Sequence, residues 1–298
     1  MMDVTEAARA TMAALRNIFA LLPYRLAEEE PPRKYWDPTE STGCDDAGDY
    51  VLLRLVANPD LRTRLCLSLW DLVCFSVCCI ALLAAYLVAR TFLYESSKQR
   101  SWVLTCLNSV VTPLLALRSL FRIVNNEWEY GFVSGGSRSS RICTLFFMAY
   151  LCCELVVGRV DYRKQVTLIM GYVHHFSYLL LASHLLVANR TNIMAMTLLE
   201  ELPTLVLALS RLAPGWFAKP GQSQVQRRSL DYAFALSFVV TRILFHLYVQ
   251  YNLFLWRKDS KLGYYWVVCV LALAMNLHWL LAWWKSAKRR REKDRKRE

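Results

Sequence analysis

The sequence has no CxxC pair matched by a second pair, or by histidines, at the spacing of a structural zinc site. It also has none of the HxxxH or HxxHH clusters used by membrane di-iron lipid enzymes. No metal is therefore expected, and no motif requires a bound cofactor. Of the ten cysteines, nine lie in or beside apolar runs and only Cys44 sits in a clearly polar segment. That placement excludes the disulfide framework of a small secreted domain and fits small apolar residues inside a helical bundle. The net charge of +12 comes without the aromatic-studded basic surface of a nucleic-acid-binding fold, so no nucleic-acid partner is expected. Residues 1–65 hold no apolar run long enough to cross a membrane.

What the chain does have is hydrophobicity in long blocks. Hydrophobic residues make up 55% of the 298, and mean hydropathy is +0.24, which points to a multi-pass membrane protein with polar ends. A helix needs roughly 20 apolar residues to cross a hydrocarbon core of about 30 Å. By that measure the sequence predicts seven spans: 66–94, 102–123, 142–158, 166–187, 193–212, 230–256 and 263–284. The fold class is all-α. Ahead of the spans, residues 1–60 carry 11 acidic residues against 6 basic ones, and Thr5 to Leu22 has the spacing of an amphipathic helix. The chain ends on a basic tail, 289–298. From Lys285 onward there are 9 basic residues against 3 acidic, which assigns the C-terminus to the cytosol. Arg295-Lys296-Arg297-Glu298 resembles a dibasic retrieval signal, favouring the endoplasmic reticulum; the Thr5–Leu22 segment keeps a mitochondrial membrane open. The sequon Asn189-Arg190-Thr191 lies almost at the membrane surface, so no glycan is expected on it.

The informative residues are those that do not belong in lipid. His174 and His175 stand together within GYVHHFSYLLLASHLLV, and Glu154, Glu201, Arg242, His246 and Asn276 interrupt other spans. An ionised side chain at that depth is costly unless paired, so these groups are expected to converge in the bundle interior, with Glu154 and Glu201 neutralising Arg242. A neutral imidazole there could act as a general base or a nucleophile, oriented by a nearby carboxylate. Adjacent residues on a helix point about 100° apart, so only one of the pair can face a given substrate atom. A buried network that merely fixes helix register is the competing reading.

Taken in order, several elements resemble the TLC-domain family, which includes the ceramide synthases and the translocating-chain-associated proteins. Tyr150 and Glu154 in AYLCCEL are similar to its aromatic-x-x-x-acid element. DYRKQVTLIMGYVHH, from Asp161 to His175, is similar to its run from an acid to a His-His pair. Glu201-Leu202-Pro203-Thr204, Arg242-Ile243, and Asn276 with Trp279 resemble three later elements. The resemblance covers residues 100–288 and implies a six-helix, barrel-like bundle open to lipid, preceded by one helix, with the His pair inside. It implies His174 and His175 as catalytic residues and Glu154, Glu201, Arg242 and Asn276 as lipid-binding ones. The chain departs from the ceramide synthases where Leu199-Glu200-Glu201-Leu202-Pro203 replaces a His- and Asp-bearing run. Ser109-Val110-Val111-Thr112 likewise lacks a histidine found in the family's first core helix. Both departures point to the non-synthase members. The expectation is a protein that binds or modifies lipid and influences membrane lipid composition, its partners being membrane lipids and other membrane proteins. Two alternatives stay open: an N-acyltransferase taking acyl-CoA as co-substrate, and a structural or trafficking protein without catalysis.

Overall fold

The computed structural model describes residues 68–125, 133–212, 223–255 and 263–295, and these form helices and connecting turns with no strand among them. Helix α1 (Leu69–Phe92) starts on a capping box in which Ser68 Oγ accepts from the Asp71 N–H and the Asp71 carboxylate accepts from the Ser68 N–H. Two donors that a helix start leaves unpaired are thereby satisfied. One turn, Ser97–Arg100, leads into α2 (Val103–Asn125). A second box, Ser137 with Ser140, opens α3 (Arg138–Val160). Helix α4 joins a π-helical turn, Leu168–Val173, to an α-helix, His174–Val187. In α5, the segments Thr191–Thr197 and Leu202–Leu212 flank a 3-10 turn, Leu198–Glu201. Helix α6 runs through Ser223–Phe238, a π-helical stretch Val239–Phe245, and His246–Leu255; α7 is Gly263–Arg295.

Six of these, α1, α2 with its preceding turn, α3, α5, α6 and α7, are long and apolar enough to cross a membrane. The chain is therefore a multi-pass membrane protein by the length and composition of its helices. The seventh expected span, 166–187, is α4, which is not among those six. Two expected limits shift for visible reasons. Helix α3 begins four residues before Ile142 because the Ser137 cap starts it inside the Ser/Arg loop. Helix α7 runs past Trp284 into the basic tail, since Lys and Arg are good helix formers and cations suit a helix C-terminus. The Thr5–Leu22 segment and Lys296–Glu298 lie outside the described residues.

Hydrogen bonds set the helix directions. Asp71, at the start of α1, pairs with Arg141, at the start of α3, at 2.6 Å. Near the far ends, Asp161 accepts from Tyr86 and pairs with Arg100 at 2.8 Å. The two helices thus run parallel and are clamped at both ends. Helix α5 also starts at the Arg141 end, where Ser140 Oγ and Thr191 Oγ1 lie 2.7 Å apart. Arg141 reaches Asn189 Oδ1 there at 3.1 Å. Helix α4 must therefore travel from the Asp161 end back to the Arg141 end, antiparallel to α3.

The packing order is α1 on α3, α3 on α2, α2 on α5, α5 on α6 and α6 on α7, with α4 on α3 and the first turn of α5. Buried shares of the apolar windows rank the helices: 61% for α3, 22% for α6, 17% for α1 and 11% for α7. Helix α3 is the centre, and α1, α6 and α7 turn most of their apolar surface outward, as lipid-facing helices do.

Candidate functional site

Pro203 organises the middle of α5. It has no N–H to donate, and the turn before it tightens to Leu198–Glu201, where the Leu202 N–H bonds to Leu199 O. That turn carries Glu200 and Glu201 side by side and leaves the Glu200 carbonyl open to a neighbour. The neighbour is Arg242, in the π-helical stretch of α6. Its Nε donates to Glu200 O at 2.7 Å, and one terminal nitrogen donates to Glu201 Oε1 at 3.2 Å and Thr204 Oγ1 at 2.9 Å. The other faces Asn276 Oδ1 of α7 at 3.5 Å. The guanidinium also sits 5.5 Å from the Trp279 ring and 5.7 Å from the Phe238 ring, within cation–π reach. Arg242 is only 9% exposed, so a single cation joins three helices in the interior.

One turn further along α6, His246 is buried. Its Nδ1 lies 2.6 Å from Glu200 Oε1 and its Nε2 lies 2.8 Å from Cys269 O. A carbonyl can only accept, so Nε2 carries a proton, and Nδ1 shares a further proton with the Glu200 carboxylate. The second Glu200 oxygen accepts from Asn276 Nδ2 at 3.3 Å. Both nitrogens of His246 are thus committed, and it holds α6 to α5 and α7 rather than offering a free base.

His174 and His175 flank this network. The His174 ring lies 5.5 Å from Trp279 of α7 and 4.7 Å from Tyr178, and the His175 ring lies 6.0 Å from Tyr150 of α3. Nδ1 of His175 is buried with no hydrogen-bond partner. Nothing matches the chain: no family model, no curated protein and no solved structure. The chemistry of the site therefore rests on its own atoms. Among the described residues, neither His174 nor His175 bonds a carboxylate; the carboxylate–histidine pairing expected of them forms at Glu200 and His246 instead.

Of the six expected site residues, Glu201, Arg242 and Asn276 are bonded into one network, with His174 one ring away across Trp279. Glu154 is apart from them. Buried at 7% exposure in α3, it neighbours Tyr150 and Tyr162, and its Oε2 makes no hydrogen bond. Arg242 meets the carboxylate of Glu201 and the main-chain carbonyl of Glu200, whose own carboxylate goes to His246 and Asn276. Glu200, Thr204, Tyr178 and Trp279 were not among the expected site residues, although the run 200–204 and the pairing of Asn276 with Trp279 carried a signal for all but Tyr178. One π-helical stretch holds Arg242, and the other ends at Val173, next to His174. Such stretches add a residue to a turn and often mark functional sites.

Outside the apolar spans, Asp161 closes the α1–α3 clamp. Burial pushes its carboxyl up, but the Tyr86 hydroxyl and the Arg100 and Arg90 guanidinium groups outweigh that and hold it below the usual carboxylate range.

Proposed function

We propose that the chain is a lipid-handling membrane protein of the TLC-domain type, in which a lipid enters the bundle beside His174 and His175. The observation that carries this reading is the α4–α7 seam. Helix α4 packs on α3 and α5, α7 packs on α6, and between α4 and α7 the contact that stands out is His174 against Trp279. A seam held by two rings is the easiest place for a lipid to part the helices. The polar wall behind it, Glu201, Arg242 and Asn276, suits a headgroup, and the apolar faces of α4 and α7 suit its chains. In this reading α4 is a seventh crossing, which the shared starting end of α3 and α5 supports. With the basic tail in the cytosol, the N-terminal segment lies on the lumenal side of an endoplasmic reticulum membrane.

The test is lipid co-purification. Native mass spectrometry of the full chain from nanodiscs should find a bound lipid that is lost in H174A/W279A while the monodisperse elution profile is kept. No bound lipid in the unmodified chain, or equal lipid in both, would refute the reading.

A second reading has one specific observation behind it, the unbonded Nδ1 of His175. There His175 takes the proton from an amine as its nitrogen attacks an acyl-CoA thioester. The C–N bond forms, the C–S bond breaks, and the proton leaves with the CoA thiol. Purified protein given labelled acyl-CoA and a lipid amine should then form an amide, and H175A should not.

A further inference from the structure

A cleft of about 360 Å³ opens where α3 ends and α4 begins, lined by Arg159, Arg163, Val166 and Tyr172. Its volume lies within the range of small-molecule sites, roughly 300–1,000 Å³. Its floor is built with little slack. Val166 is wedged between two glycines, so a Cβ on Gly158 would stand 2.8 Å from one of its methyls, and a Cβ on Gly171 would stand 2.3 Å from the other. In the wall, the Tyr172 hydroxyl is buried and makes no hydrogen bond.

The cleft carries positive charge that no neighbouring acid among the described residues balances. The acid beside it, Asp161, is already taken by Arg100 at 2.8 Å and Arg90 at 3.9 Å. Arg159, Arg163 and the adjacent Lys164 are exposed, and none pairs with an acid among the described residues. Two unpaired guanidinium groups on a concave surface, beside a buried unbonded hydroxyl, are complementary to a group with two negative charges and several acceptor oxygens. Basic pockets between membrane helices on the cytosolic side take phosphorylated headgroups in this way.

We propose that this cleft binds a phosphomonoester, with Arg159 and Arg163 holding the phosphate oxygens and Tyr172 donating to one of them. A phosphomonoester carries about −1.5 to −2 at neutral pH and a phosphodiester only −1, so the site prefers the monoester. The source is either a lipid such as phosphatidic acid or free phosphate. The cleft lies at the membrane end from which α4 departs, and its Tyr172 stands two residues before His174. It is a site distinct from the α4–α7 seam, and its assignment rests on the orientation proposed above, with this membrane end on the cytosolic side.

The test uses the full chain in nanodiscs of phosphatidylcholine doped with phosphatidic acid or, at equal mole fraction, phosphatidylglycerol, with and without inorganic phosphate. Lipids retained by the protein are counted by native mass spectrometry. Phosphatidic acid should be retained over phosphatidylglycerol, and R159Q/R163Q should cut that preference at least ten-fold. These side chains are exposed and unpaired, so the variant should keep its elution profile. Y172F supplies a milder change, two- to five-fold. K288Q/R289Q in the tail should lower retention of both acidic lipids and leave the preference between them intact. If inorganic phosphate alone binds, is lost in R159Q/R163Q and displaces no lipid, the site stands with soluble phosphate as its occupant. Equal retention of the two lipids with no phosphate binding, or a preference unchanged in R159Q/R163Q, would overturn the proposal.

Discussion

Replacing Arg242 by Met tests whether the interior network holds the bundle together. Arg242 makes three close hydrogen bonds, to Glu200 O, Glu201 Oε1 and Thr204 Oγ1, and a longer one to Asn276. Between membrane helices such bonds contribute on average about 0.6 kcal/mol each, because the separated helices also find partners. Four of them sum to roughly 2.4 kcal/mol. Removing one member of a buried ion pair also leaves the other uncompensated, and that loss is commonly about 3–5 kcal/mol in all. Glu201 is partly relieved by Thr204, so R242M is expected to cost about 3 kcal/mol, near the lower end of that range. E201Q should cost about 1 kcal/mol, since Arg242 keeps the Glu200 carbonyl and the Thr204 hydroxyl. In the double variant no charge is stranded at position 201, so its loss should fall short of the sum by about 1–2 kcal/mol. Reversible SDS titration in mixed micelles, followed by tryptophan fluorescence, reads all three. Additivity within about 0.3–0.5 kcal/mol would show that the two side chains are not coupled, and the network would lose its central contact.

Three further outcomes are expected. The carboxyl of Asp161 is held low in the folded chain, so its contribution is present at neutral pH and lost as the pH falls below the ordinary carboxylate range. Thermal midpoints of the unmodified chain should drop more steeply toward pH 3 than those of D161N; parallel curves would count against the clamp. Asn189 should carry no glycan: its side chain accepts from Arg141, and the Thr191 hydroxyl is buried against Ser140. A mobility shift on endoglycosidase treatment would contradict that. G171A should destabilise by roughly 1–3 kcal/mol through the clash with Val166 and be rescued by V166A; an equal loss in the double variant would place the strain elsewhere.

How far the sequence could be read depended on the scale of the signal. The spans were legible because twenty apolar residues in a row have few other uses, and α1, α2, α4 and α5 begin and end within three residues of their expected limits. Arg242, Glu201 and Asn276 were legible as interior groups because each interrupts such a run. The Glu201–Arg242 pair was legible with them, since a buried cation needs an acid; the rest of the network was not. Whether Arg242 meets Glu154 or Glu200 depends on which helices are neighbours and on the rotation of each about its axis. Two π-helical stretches and a 3-10 turn alter that rotation in the segments that matter. His246 shows the same limit: its place in the run was visible, but its partners, a carboxylate on α5 and a carbonyl on α7, lie on two other helices.

The paired clamps on α1 bear on how the protein meets membranes of different thickness. Asp71 and the Tyr86–Arg90 stretch stand roughly 22–28 Å apart along the helix, close to the depth of a hydrocarbon core. With both ends fastened to α3, these two helices must tilt as one plate. A bilayer too thin or too thick for the plate cannot be accommodated by sliding one past the other. The strain passes to the neighbouring contacts, and α4, which packs on α3, meets α7 where the His174 and Trp279 rings touch. Bilayer thickness thereby acts on the spacing of His174 and Trp279, and the lipid composition around the protein becomes a force on its own seam.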